Sequence, residues 1–113
     1  MFFLSTIDHQ GRPTVSYKGG DPGFVKVIDE KTVVFPSYDG NGMFRSLGNI
    51  EETGKVALLF IRQNDNANRI RIHGTGRVLL DESDLSQFEG AEAVVEVQAV
   101  SYTHLTLPTI LLV

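Results

Sequence analysis

The chain contains no cysteine, an absence that removes disulfides, thiol nucleophiles and cysteine-ligated metals together and agrees with a reducing cytoplasm as the expected location. Histidine is sparse too. His9, His73 and His104 show no ligand spacing, so no metal site is expected. Before the last thirteen residues no apolar run approaches the roughly 20 residues of a membrane span. The N-terminus, MFFLSTIDHQGRP, has neither a basic n-region nor a small-residue cleavage site. It therefore reads as a strand, not a signal peptide, and no membrane association is expected. Positive charge is in short supply: 10 Lys and Arg face 14 Asp and Glu, for a formal net charge of −4. That argues against a general nucleic-acid binder, because neutralising phosphates takes a clustered basic surface. A small phosphorylated ligand needs only a few local cations and stays open. No nucleophile elbow or P-loop is present, and GNGMFRSLG lacks the βαβ context of a dinucleotide fingerprint.

What remains is the make-up of one globular domain. At 113 residues, 42% of them hydrophobic and 21% charged, the chain can bury one core but not two. Phe2–Ile7 and Pro13–Lys18 are β-forming runs joined by the polar, glycine-containing segment 8–12, which predicts a hairpin. Phe24–Ile28 and Thr32–Phe35, around Asp29-Glu30-Lys31, predict a second. Met43, Leu47 and Ile50 fall at i, i+4 and i+7, the spacing of one helical face, and Gly54 follows as a C′ residue. KVALLFIR, residues 55–62, reads as a strand buried on both faces, and 63–68 as a loop. Residues 69–79, RIRIHGTGRVL, alternate, with Ile70, Ile72 and Thr75 expected on one face and Arg69, Arg71 and His73 on the other. Residues 81–90 predict a turn and a short helix carrying Leu85 and Phe88, and 91–100 a last strand. About seven strands and one or two short helices predict a mainly β fold, a small antiparallel barrel or sandwich.

The final thirteen residues, SYTHLTLPTILLV, break this pattern and resemble a translated sequencing-adapter read-through. The expectation is a domain over 1–100, truncated at its C-terminus, and a non-native tail over 101–113, set aside from functional reasoning.

Residues 35–50, FPSYDGNGMFRSLGNI, concentrate the chemistry. Asp39, Gly40, Asn41 and Gly42 tolerate tight turns and positive φ, so amide groups there can turn toward a ligand. Arg45 falls in the first turn of the predicted helix, where unpaired N–H groups and the helix dipole favour an anion. A guanidinium adds bidentate hydrogen bonds, and a bare cation at that end is unfavourable without an anion. Against this stand plainer readings: Asn41 as turn chemistry, Lys18 and Lys26 as solvated strand lysines, and Arg69, Arg71 and His73 as a wet sheet surface.

Taken in order, FFLSTIDHQGRPTVSYKGG, PGFVKVIDEKTVVFP, YDGNGMFRSLGNI, GKVALLFI and RIRIHGTGRV resemble the pyridoxamine 5'-phosphate oxidase-like family of FMN-binding split β-barrel proteins, over Phe2 to about Val100. The resemblance implies an antiparallel split β-barrel that forms a homodimer with FMN in a groove at the interface. It also implies an oxidoreductase acting on a small molecule by hydride transfer, chemistry that the cofactor carries. Carried over, Arg45 matches the basic residue at the start of the family's helix and Ser46 the position after it. Ser37 matches the hydroxyl residue after the strand, and Lys26 lies in the strand taken to correspond to the oxidases' R-x-V-L-L-K motif. Asn41 and Asn49 complete the candidate cofactor contacts. Arg69, Arg71 and His73 would face the partner's flavin, and His73 is a candidate base because an ordinary histidine titrates near pH 6.5. No catalytic residue is singled out. The chain departs from the oxidases in having PGFVKV for the longer motif and in lacking their substrate-contacting C-terminal segment, so the substrate stays open. So do a non-catalytic flavin or heme carrier and a reductase that uses the deazaflavin F420.

Overall fold

Alternating runs of β-forming residues pair into seven strands in the computed structural model, which describes residues 2–19, 24–38, 44–61 and 69–102. The elements are β1 (Phe2–Ile7), β2 (Pro13–Lys18), β3 (Lys26–Asp29), β4 (Thr32–Ser37), α1 (Phe44–Thr53), β5 (Lys55–Ile61), β6 (Arg69–Leu79), α2 (Glu82–Leu85) and β7 (Ala93–Tyr102). They form one sheet in the order β2-β1-β5-β6-β7-β4-β3, with every neighbouring pair antiparallel. Three strands separate β1 from β4 in that order, yet the rings of Phe2 and Phe35 lie 5.0 Å apart. The sheet therefore curls around its own core, while its edges, β2 and β3, are not paired to each other. This is a split β-barrel.

Local chemistry explains the turns. In the β1–β2 connection Asp8 accepts hydrogen bonds from the amides of Gln10 (2.9 Å) and Arg12 (2.8 Å), and Gly11 takes φ +81°. Those bonds, together with the Arg12 guanidinium, hold the Asp8 carboxyl below the usual carboxylate range. α1 ends at Gly54, which takes φ +69° and donates its N–H to Ile50 O at 2.9 Å. Leu47 and Ile50 pack against the core as their spacing predicts, whereas Met43 lies outside the described residues. The helix seats against β6 at Gly76, where a Cβ would come within 3.0 Å of Val56 and 3.3 Å of Ile50.

The main core gathers Phe2, Leu4, Phe35, Ile50, Leu58, Ile72 and Val97, and a smaller cluster of Val34, Phe88 and Val94 lies under α2. The structure corrects three expectations. β5 is not buried on both faces: Val56, Leu58 and Phe60 are buried, but Ala57, Leu59 and Ile61 are only half-buried, because no described element covers that side. Thr75 points outward with Arg71 and His73, because the inward positions of β6 run on through Gly74 and Gly76. β7 begins at Ala93 and continues through Ser101 and Tyr102, which pair with His73 and Ile72. Among the described residues no helix is long and apolar enough to cross a membrane.

Candidate functional site

Polar side chains collect where the inner face of the β1–β2 hairpin meets α1. Alternation along β4 puts Ser37 on the same face as Val33 and Phe35, and Ser37 is only 4% exposed. On α1, Ser46 (6% exposed) and Asn49 are buried one turn apart, while Arg45 stays exposed beside them. The Asn49 amide donates to Thr6 Oγ1 at 3.0 Å, and the Thr6 and Thr14 hydroxyls lie 2.7 Å apart. Asn49 thus ties the helix to β1 and, through it, to β2. Asn41 lies outside the described residues.

The two strand lysines take opposite roles. Lys26 pairs with Val34 across the β3–β4 ladder and shares its face, toward α2. Its Nζ donates to Gln87 O at 2.6 Å and sits 4.6 Å above the Phe88 ring. Ser37 is on the other face of that ribbon, so the structure does not bring Lys26 and Ser37 together. Lys18 stands opposite Phe2 and, with Ser16 and Thr14, lines the inner face of β2. It is 5% exposed, and burial pulls its pKa below the ordinary lysine value. Ser16 Oγ is buried without a hydrogen-bond partner. Sequence leaves Lys18 a solvated strand lysine and gives only Lys26 a match to the family strand, whereas the structure buries Lys18. The signal in its favour was in PTVSYK: Thr14, Ser16 and Lys18 alternate with Val15 and Tyr17, and their register with Phe2, Leu4 and Thr6 turns the polar set inward.

Lys18 and Ser16 on the inner face of β2 thus supply an ammonium and a hydroxyl able to donate to an anion, and Ser37 on β4 and Ser46 on α1 are further buried hydroxyls. A buried ammonium on the same strand face as a buried hydroxyl that lacks a partner has the make-up of an anion site, since such a hydroxyl costs free energy until a hydrogen-bond partner reaches it. Arg71 and His73 stand apart from it on the outer face, where with Phe3, Ser5, Val15, Ala57 and Leu59 they line an open groove of about 450 Å³. Among the described residues no group of three or more His, Asp or Glu could hold a metal ion.

The family model described as pyridoxamine 5'-phosphate oxidase matches residues 1–105. The chain belongs to that family. No curated protein matches it, but solved structures do. HupZ of Group A Streptococcus is 18% identical, with a TM-score of 0.67 over 93% of this chain and 84% of its own. An FMN-binding protein of Syntrophomonas wolfei subsp. wolfei is 15% identical, with a TM-score of 0.66 over 94% and 77%. An F420 reductase is 17% identical, with a TM-score of 0.61 over 90% and 87%. At these identities the likeness establishes the pyridoxamine 5'-phosphate oxidase-like fold.

Proposed function

We propose that this family member is an FMN-binding flavoprotein that oxidises or reduces a small molecule by hydride transfer. The observation that carries the reading is the buried Lys18 beside the orphaned Ser16 hydroxyl on the inner face of β2. In it, Lys18, Ser16, Ser37 and Ser46 hold the flavin's phosphate, and Arg45 closes over it from the solvent side. A dianion there attracts the ammonium and supplies an acceptor for the Ser16 hydroxyl. The bound flavin brings the redox chemistry; the protein positions the ring and tunes its electronics. Membership of the family and the likeness to an FMN-binding protein support this reading. The likeness to an F420 reductase keeps the deazaflavin as the second reading, because its side chain also carries an anionic phosphodiester.

The test is uptake of FMN, F420 or heme by the whole chain, followed by thermal unfolding. FMN at 100 times its Kd should add about 2.7 kcal/mol to the stability of the wild-type protein. Lys18→Met and Arg45→Ala should lose most of that gain. Bleaching of bound flavin by NAD(P)H, with recovery on adding an acceptor, supports the oxidoreductase; bound flavin that stays oxidised reduces the reading to a carrier. Stabilisation by F420 or heme alone overturns FMN as the cofactor.

A further inference from the structure

The groove on the outer face of β1 and β5 is used neither by the core nor by the inner seam of β2 and α1. Its shape follows from the register of the strands. Phe3 stands opposite Leu59, while the neighbouring outward pair is Ser5 and Ala57. Large side chains thus run beside small ones, and the small pair floors a groove of about 450 Å³ with Phe3 and Leu59 along one wall. The Tyr17 ring meets Phe3 edge to face at 5.5 Å and braces that wall. At the β2 end stands Val15, opposite Ser5 and 72% exposed. At the β6 end stand the exposed Arg71 and His73, opposite Leu59 and Ala57. From Val15 to His73 is three strand spacings, or about 14 Å.

The charge pattern selects the ligand. The groove is apolar along most of its length, carries its cationic donor at one end only, and has no acidic residue in its lining. A molecule polar throughout would leave its groups unpaired over Phe3 and Leu59, at a desolvation cost. A cation would meet the arginine, with like-charge repulsion. A chain that is apolar except for one terminal carboxylate matches both ends. The Arg71 guanidinium presents paired N–H donors to a carboxylate, and the His73 ring can add another. The methylenes then lie over Ala57 and Ser5 toward Val15. A span of about 14 Å is the extended length of a chain of about ten to twelve carbons.

From this match we infer that the outer groove binds a free, unbranched carboxylic acid of about ten to twelve carbons, its carboxylate at Arg71 and His73 and its chain laid across β5 and β1. The inference does not draw on the flavin reading, and its test begins without added flavin so that the two succeed or fail separately. Calorimetric titration of the full chain with dodecanoate, below its micelle concentration, should show one site. Octanoate, four methylenes shorter, should bind about tenfold more weakly or worse. Dodecyltrimethylammonium, with the same chain and the opposite charge, should not bind. Arg71→Gln should weaken dodecanoate about tenfold. Ala57→Leu and Ser5→Val fill the floor and should each abolish its binding with the circular dichroism spectrum unchanged. Three results overturn the inference: no binding of dodecanoate, whether or not sedimentation shows a second copy over the groove; equal binding of the two surfactants; or binding indifferent to Ala57→Leu and Ser5→Val. Displacement of bound dodecanoate by FMN also overturns it, because the groove would then belong to the flavin site.

Discussion

Gly74→Ala should be the most damaging alanine substitution among the described glycines. A Cβ at Gly74 would overlap the Gln98 carbonyl oxygen and lie 2.9 Å from its carbon and 3.1 Å from Ala99 Cα. All three are backbone atoms, held where β6 and β7 change register between His73 and Gly74, so no rotamer change relieves the overlap. Separating the strands sacrifices one or two ladder hydrogen bonds and adds overpacking strain, a cost of roughly 2–4 kcal/mol. At about 4–8 °C per kcal/mol for a domain of this size, the melting temperature should fall by some 10–25 °C. Two other glycines calibrate the argument. Gly76→Ala meets only side-chain methyls of Val56 and Ile50, which can shift, and should cost about 1 kcal/mol. Gly48→Ala has open space around it within α1 and should stabilise by about 0.5–1 kcal/mol. Thermal unfolding of the three variants gives the order directly. If Gly74→Ala melts within about 3 °C of the wild type, or above Gly76→Ala, the close approach of β6 and β7 is refuted.

Two further substitutions probe the seam. Lys18 has its pKa lowered by burial from the ordinary 10.5, so between its folded and unfolded values the unfolded chain binds more protons. Ligand-free stability should therefore rise with pH through that window, and Lys18→Met should remove this increment. An identical pH slope in both proteins would contradict the buried, desolvated ammonium. Asn49→Ala removes the donor to Thr6 Oγ1 and should cost about 1–2 kcal/mol, equally with and without FMN; a loss confined to the FMN-loaded protein would make Asn49 a ligand contact instead.

Much of the local structure was legible because it depends on neighbouring residues. Both hairpins, the α1 face of Leu47 and Ile50, and the Gly54 terminus follow from alternation, helical spacing and the positive φ that glycine takes without strain. Less legible was the assignment of roles. Lys18 and Lys26 are both lysines in short β runs, and only pairing with Phe2 or with Val34 sends one inward and the other toward α2. The bond from Asn49 to Thr6 was not legible because nothing near Asn49 in the chain reveals a partner 43 residues away. The half-covered face of β5 was missed for the same reason: an apolar run does not say which of its sides another element will cover.

By itself, then, the sequence determined the strands, their turns and the helix, along with the family pattern and the exclusion of thiol chemistry by the lack of cysteine. Only the tertiary structure decided which strand lysine is buried, which hydroxyl Asn49 bonds and which sheet face is left uncovered. The physical reason is one of range. Backbone geometry and side-chain shape act over a few residues, whereas the interior of this barrel is defined by ladders such as β1–β5 and β4–β7, which join residues 50 to 66 positions apart.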